Sequence, residues 1–183
     1  DQIIEKHRIK AIGDIPETYG NLQAFRKKVV SAGHFISGWK VMGPFADSPD
    51  RKGLVNAYGP EQSDAVQSFL GLDGKVLSWK EHDDHTSGYI DFVKILGPYE
   101  NVVAYGKKNI SLTEGKTKKF GVGSNDGVRV WINNKLVLDR PVSRKAEPNQ
   151  DTITVNLPKG DHTVLVKVDQ LKRAWGFYFT EIE

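Results

Sequence analysis

From residue 35 onward the chain consists of short β-rich segments separated by Gly, Pro, Asn and Asp, and this pattern constrains its fold most strongly. The segments recur at the ~8–12-residue spacing typical of β-sandwiches. No strand–helix–strand rhythm follows residue 35, which argues against a parallel sheet and a dinucleotide-binding fold. The pattern predicts strands near residues 38–43, 76–82, 89–95, 101–113, 117–123, 128–133, 136–139, 151–157, 162–169 and 175–182.

Strict alternation within these segments predicts which side chains face the core. In residues 128–132 the β-branched side chains point to one face, whereas Arg129 and Trp131 point to the other. Residues 162–168 alternate in the same way, and the Asn-Asn pair at 133–134 is a tight hairpin signal. We therefore predict an all-β fold, an antiparallel, jelly-roll-like β-sandwich. The residues predicted to be buried are Trp39, Val130, Ile132, Val164, Val166, Val168 and Trp175.

The first part of the chain differs from the rest in the spacing of its apolar residues. Apolar residues at helical spacing in residues 2–11 predict a short, mainly helical N-terminal extension over residues 1–33. The β-sandwich domain is predicted over residues 34–183. Within it, residues 46–74 are rich in Gly and Pro, which predicts long loops with one short helix near residues 61–70.

Composition and missing motifs exclude several classes of protein. The 183 residues contain no cysteine, which rules out disulfides, thiolate zinc sites and cysteine nucleophiles. The formal net charge is only +3 and the sequence has no dense basic stripe, so we predict no nucleic-acid partner. No apolar run approaches ~18 residues, so no membrane span is predicted. Nucleophile-elbow, zinc-protease and phosphate-loop motifs are missing, and we predict that the chain is not an enzyme.

An ordered set of sequence segments carries a family resemblance. The segments are Gly38–Phe45, Asn101–Tyr105, Gly123–Val137, Leu157–Asp161, Val164–Val168 and Ala174–Phe179. In this order they resemble the galactose-binding-domain-like and protective-antigen-type β-sandwich modules of bacterial secreted carbohydrate-active proteins. The resemblance implies a non-catalytic carbohydrate-binding or cell-surface interaction module. It also implies a secreted, periplasmic or cell-surface location and neighbouring domains of a larger protein. A structural spacer beside a catalytic domain, or a small β-sandwich lyase or hydrolase, remains an alternative.

Two polar loops are the candidate ligand site. Asn125 and Asp126 lie between two predicted strands, where an amide and a carboxylate can bind sugar hydroxyls or ligate calcium through oxygen. Lys172 and Arg173 precede the last strand, and they can bind hydroxyls or a uronic-acid carboxylate. The two loops share one end of the sandwich if their strands are neighbours. The alternatives are an Asx turn that only shapes the first loop, and a plain surface loop for the second.

Trp79 and Trp131 are the candidate aromatic platforms for a sugar ring. Trp131 is out of phase with the apolar residues of its strand, and Trp79 lies beside a polar loop. The alternative is that both belong to the core, as most tryptophans of all-β domains do.

Residues 82–85, His-Asp-Asp-His, are the most conspicuous run of metal-ligating side chains. On a strand the two histidines would face opposite sides, so we predict no zinc site. No cofactor is predicted other than calcium, for which the candidate ligands are Asp83, Asp84 and Asp126. The alternative is a solvated acidic turn.

Overall fold

The computed structural model describes residue 24 and residues 33–47, 50–63, 66–83 and 87–182. The predicted helical extension over residues 1–33 lies outside the described residues, apart from residues 24 and 33. The strands are β1 (His34–Phe35), β2 (Trp39–Ala46), β3 (Ser68–Leu70), β4 (Val76–Ser78), β5 (Lys80–His82), β6 (Tyr89–Asp91), β7 (Val102–Leu112), β8 (Lys116–Asn125), β9 (Val128–Ile132), β10 (Lys135–Arg140), β11 (Asp151–Leu157), β12 (Gly160–Gln170) and β13 (Gly176–Ile182). The short helices are α1 (Lys52–Val55), α2 (Gly59–Gln62) and α3 (Phe92–Leu96), and a 3-10 turn spans Leu72–Gly74.

The strands form two main antiparallel sheets. The first, sheet A, has the order β1-β13-β8-β11, with β6 also paired to β13. The second, sheet B, has the order β10-β9-β12-β7-β2-β5. Strands β3 and β4 form a separate hairpin. The prediction of an all-β, antiparallel sandwich is therefore confirmed.

Two predicted elements differ from the observed ones. The strand predicted over residues 89–95 ends at Asp91, because the side chain of Asp91 accepts a hydrogen bond from the Lys94 amide (3.2 Å) and caps α3. The helix predicted near residues 61–70 is wrong in position: α2 ends at Gln62 and residues 68–70 form β3. The side chain of Phe69 on that strand packs against sheet B. None of the helices in the described part of the chain is long and apolar enough to span a membrane.

The main core lies between the two sheets, as the alternation predicted. All seven residues predicted to be buried are at most 4% exposed. Trp39 packs edge-on against Phe177 and Phe179, with ring centroids 5.0 and 5.4 Å apart. The indole N–H of Trp175 donates to the Val168 carbonyl (3.2 Å), so this buried polar group is satisfied.

The outer face of sheet B carries a second apolar cluster that alternation alone does not predict. Its buried members are Met42, Phe45, Val103, Tyr105 and Leu165. Partly buried residues of the hairpin, the loop before α2 and neighbouring strands pack on it: Tyr58, Phe69, Leu77, Trp79 and Trp131. Sheet B is thus covered on both faces. This explains why β12 is buried almost continuously from residue 164 to residue 170.

A buried ion pair holds α2 onto this outer face. Lys167 is fully buried, and its Nζ donates to Glu61 Oε1 and to the Asn56 carbonyl, both at 2.6 Å. The ammonium also lies 4.8 Å from the ring centroid of Tyr58 and 5.3 Å from that of Tyr105. Burial lowers the pKa of Lys167, and the hydrogen bond to Glu61 acts in the opposite direction.

We expect stability to fall at alkaline pH because burial raises the pKa of four tyrosines: Tyr58, Tyr89, Tyr105 and Tyr178. A phenol whose pKa is higher in the folded state stabilises the fold fully below its unfolded pKa of ~10 and loses this contribution as pH rises above it. Tyr105, which is completely buried, should then lower the free energy of unfolding by about 1.4 kcal/mol for each pH unit above the unfolded pKa. The lowered pKa of Lys167 makes the free energy of unfolding rise with pH, but only up to the unfolded lysine pKa of ~10.5.

Urea unfolding at about pH 9 and about pH 11 measures this effect, since the interval spans the unfolded tyrosine pKa. Tyr105→Phe should flatten the alkaline decline relative to the parent, even though it lowers stability at neutral pH. An equally steep decline in the variant would contradict the assignment to Tyr105.

Candidate functional site

The pairing of β8 with β13 brings the two candidate loops to the same end of the sandwich. Asn125, the last residue of β8, is the register partner of Gly176, the first residue of β13. A Cβ at position 176 would lie 2.2 Å from the Ile90 carbonyl oxygen of β6, so only glycine fits there. The loop after β8 and the loop before β13 therefore meet.

An open cavity of about 450 Å³, here called the end pocket, lies where these loops meet. It is lined by Tyr89, Asn125, Asp126, Arg144, Lys145, Ala146, Lys172, Arg173, Ala174 and Tyr178. Four of the six predicted ligand residues are among them: Asn125, Asp126, Lys172 and Arg173. The structure thus brings together residues almost 50 positions apart in the sequence.

The loop around Asp126 is held in place by backbone groups and neighbouring side chains. Asp126 has a left-handed backbone (φ 62°), its N–H donates to the Arg144 carbonyl (3.0 Å), and its own carbonyl accepts from Ser124 Oγ (2.7 Å). The next amide, that of Gly127, donates to Asp169 Oδ1 (2.6 Å). The loop is thereby preorganised, with the Asp126 side chain at the pocket wall.

A buried ion pair beneath this loop was not predicted from the sequence. Asp169 is fully buried and binds Arg51 through both oxygens, with Nη2–Oδ1 at 2.7 Å and Nε–Oδ2 at 2.5 Å. Arg51 Nη2 also donates to the Val142 carbonyl (2.6 Å). This two-point geometry is the strong form of an Arg–carboxylate pair, and it ties three loops together. The partners are 118 residues apart, so no local pattern points to the pair.

Arg144 is a second site residue that sequence reasoning missed. Its Nη2 donates to Ser124 Oγ (3.0 Å) and Asp151 Oδ2 (2.5 Å). Residues 141–147 have no regular secondary structure, and they lie close over sheet A because Gly123 leaves room for the Glu147 carbonyl. The basic residues at 140, 144 and 145 are close together in the sequence, and this cluster could have pointed to Arg144 as a site residue.

The charged side chains and the phenol groups of the end pocket can bind ligands that carry hydroxyl groups or a negative charge. Lys145, Lys172 and Arg173 are exposed cations and Asp126 is the single carboxylate of the described lining. The rings of Tyr89 and Tyr178 form one wall with centroids 4.9 Å apart. Burial raises the pKa of both phenols, so they stay protonated at neutral pH and can donate hydrogen bonds.

The residues around Asp126 do not fit calcium. This ion takes about six to eight oxygen ligands, several of them carboxylates, whereas the described lining of the pocket offers one carboxylate among cations. Asp83 follows β5, which is four strands from β9 in sheet B, or ~19 Å at the usual strand spacing. Within the described residues no three His, Asp or Glu side chains are placed to hold one metal. Asp84 lies outside the described residues, so its part in a calcium site stays a prediction.

Trp79 and Trp131 are not among the described residues that line the end pocket, so neither lies beside the predicted polar loops, and the role of either as a platform for a sugar ring stays a prediction. Both pack against the apolar cluster on the outer face of sheet B. For Trp131 the reason is the alternation of β9, which directs every second side chain away from the main core. The aromatic wall of the end pocket is formed by Tyr89 and Tyr178 instead.

Comparisons with known proteins do not identify a family for this chain. No protein-family model and no curated protein matches it. Among solved structures, it is similar to a β-glucosidase from Kluyveromyces marxianus in complex with glucose, at 12% identity and a TM-score of 0.47 over 79% of this chain and 16% of that chain. It is also similar to a GH2 β-galacturonidase from Eisenbergiella tayi bound to galacturonate, at 9% identity and a TM-score of 0.44 over 80% and 24% of the two chains.

A GH31 α-xylosidase from Xanthomonas citri matches at 14% identity and a TM-score of 0.43, over 57% of this chain and 12% of that chain. The present chain spans less than a quarter of each of these three enzymes. All three are glycoside hydrolases, but TM-scores below 0.5 carry no argument about function, and their activities are not transferred to this chain.

Proposed function

We propose that this chain is a non-catalytic carbohydrate-binding module and that the end pocket is its saccharide site. The observation that carries the proposal is the convergence of Asn125, Asp126 and Arg173 in one preorganised cavity beside two phenol rings that are tilted by 45° to each other. A carboxylate and an amide bind neighbouring sugar hydroxyls, and the guanidinium binds hydroxyls or a uronic-acid carboxylate. The tyrosines supply the apolar wall for a sugar ring.

Binding by such a site is expected to be weak. A hydrogen bond with one ionised partner contributes ~1.5–3 kcal/mol before other costs. Two or three of these bonds offset only part of the translational and rotational freedom that the ligand loses. A Kd between high micromolar and millimolar follows, and a linked neighbouring domain would raise the effective affinity for a polymer.

The chemistry of the pocket supports a non-catalytic role. Hydrolysis of a glycosidic bond ordinarily uses two carboxyl groups, and the described lining contains one. A lyase would need a base, and the raised pKa of Tyr89 makes its phenol a poor one at neutral pH. We further propose that the module acts in secreted, periplasmic or cell-surface proteins, where polymeric saccharides are the available ligands.

Asp126→Asn is expected to weaken saccharide binding at least about tenfold without changing the melting temperature. Asparagine tolerates the left-handed backbone at this position, so the change removes charge and leaves the loop geometry intact. A glycan array identifies the saccharide, and titration calorimetry of parent and variant measures the affinities. Arg173→Gln should weaken binding to a comparable degree.

The matched control is Glu114→Gln, an exposed carboxylate beyond the opposite end of β8, which should bind as the parent does. Equal affinity of Asp126→Asn and the parent would contradict the site. An array on which no glycan binds would contradict saccharide binding and favour the structural spacer. Release of shortened or unsaturated sugars from a bound glycan would contradict the non-catalytic role.

A further inference from the structure

A second, smaller cavity of about 290 Å³ lies on the outer face of sheet B and is here called the side pocket. Its lining includes Lys40, Gln67, Trp79, Lys107, Lys108 and Asn109. We propose that the side pocket binds an acidic saccharide, with a sulfate or carboxylate group between the lysines and the sugar ring beside Trp79. This site shares no residue with the end pocket, so it stands or falls independently of the proposed function.

The arrangement of the lysines points to an anionic ligand. Lys40 of β2 and Lys107 of β7 are direct register partners, so their side chains leave the sheet next to each other on one face. Like charges placed directly opposite on neighbouring strands destabilise a sheet. An anion bound between the two ammonium groups is attracted to both of them.

Two carboxylates lie near these lysines without lining the cavity. Lys108 follows Lys107 on β7, and its Nζ donates to the Gly38 carbonyl (3.2 Å). A Cβ at position 38 would lie 3.0 Å from this Nζ and 3.9 Å from Asp83 Oδ1, so Asp83 offsets part of the charge of Lys108 and the proposal rests on Lys40 and Lys107. Among the described residues that line the side pocket there is no carboxylate. Lys40 does pair with Glu81 across the other neighbouring strand (2.9 Å), but both side chains are at least half exposed and the pair is weak.

Trp79 gives the cavity a flat apolar surface beside these charges. It is half-buried, and Lys107 Nζ lies 5.7 Å from its ring centroid. An anion drawn to Lys107 is therefore placed next to the indole, where the apolar face of a sugar ring can pack. The amide of Asn109 lies at the same cavity for sugar hydroxyls.

The size and the local character of the charge favour a saccharide over a nucleic acid. The volume is at the lower end of the range for small-molecule sites, which suits a single sugar residue. A nucleic acid is usually bound by many phosphate contacts along a basic stripe. Here the lysines are confined to one cavity in a chain whose formal net charge is only +3.

The test is titration of the intact chain with trigalacturonate and with a sulfated chondroitin tetrasaccharide, with neutral cellotriose as the comparison. The indole N–H resonance of Trp79, identified by its loss in Trp79→Phe, reports on this cavity directly. We expect both acidic sugars to shift it, with an affinity that falls as salt is added, and cellotriose to leave it unchanged. Lys107→Gln should weaken binding at least about tenfold, and Lys40→Gln comparably.

The control variant is Lys135→Gln, an exposed lysine at the start of β10, which should bind as the parent does. The end-pocket variant Asp126→Asn should leave the Trp79 shift intact, which separates the two sites. Unshifted Trp79 with both acidic sugars at millimolar concentration overturns the proposal. So does sodium sulfate alone producing the same shift with equal affinity, or a dT12 oligonucleotide binding more tightly than the sugars.

Discussion

Glu61→Ala is expected to lower the free energy of unfolding by about 3–5 kcal/mol. The change leaves the ammonium of Lys167 fully buried without its paired carboxylate, while the Asn56 carbonyl still accepts its hydrogen bond. It also removes the acceptor of the Tyr105 hydroxyl, which donates to Glu61 Oε1 in the parent. Urea unfolding at neutral pH measures the loss.

The loss relative to the parent should shrink as pH rises toward ~10.5, the unfolded pKa of lysine. Removing Glu61 deletes the group that raises the pKa of Lys167 against the effect of burial, so the pKa of Lys167 falls further in the folded variant. A group with a lowered folded pKa binds fewer protons when folded, and stability then rises with pH up to the unfolded value.

Two variants separate the buried charge from simple loss of contacts. The double variant Glu61→Leu with Lys167→Met replaces both charges by apolar groups and should cost much less than Glu61→Ala. Asp50→Ala breaks the exposed pair with Lys52, whose side chains are 54% and 74% exposed, and should change stability by no more than ~0.5 kcal/mol. A Glu61→Ala effect as small as that of Asp50→Ala would show that Lys167 is solvated or deprotonated.

Trp39→Ala is expected to destabilise the sandwich by about 3–5 kcal/mol. Trp39 is fully buried between the sheets, packs edge-on against Phe177 and Phe179, and donates its indole N–H to the Ile36 carbonyl (2.6 Å). Its truncation removes buried apolar surface and leaves a cavity, because β2 and β13 can move only partly into the vacated space. Denaturant unfolding with unchanged m-value checks the prediction.

Trp131→Ala is the matched control because it removes the same side chain from the half-buried outer face of β9. Its cost should be clearly smaller, since less apolar surface is lost from the interior. If Trp131→Ala proved as damaging as Trp39→Ala, the outer cluster would contribute as much to stability as the main core.

The two proposed sites rest on the double coverage of sheet B and on the buried pair Arg51–Asp169. Hydrogen bonds from Arg51 and Gly127 converge on Asp169, so the wall of the end pocket is anchored to a strand of the core. The side pocket is supported by the outer face of sheet B, on which the hairpin β3–β4 and Trp79 pack. Rigid strands thus hold the adaptable polar side chains of both cavities.

Local alternation in the sequence determined which side chains of the strands face the main core. Because successive side chains of a strand point to opposite faces, the β-branched residues of 128–132 share one face, as do the valines of 164–168, and these faces form part of the main core. The polar loops at 125–126 and 172–173 were recognisable for a similar reason, since small polar residues between apolar strands mark exposed connections.

Only the tertiary structure decided which strands are neighbours and what covers the outer face of sheet B. The pairing of β8 with β13 joined the two loops into the end pocket, and residues such as Tyr58 and Glu61 cover Leu165 and Lys167, which alternation had placed on the face opposite the main core. The pair Arg51–Asp169 and the position of Trp79 depend on the same long-range packing. Such contacts join residues far apart along the chain, and the spacing of residues within one segment carries no information about them.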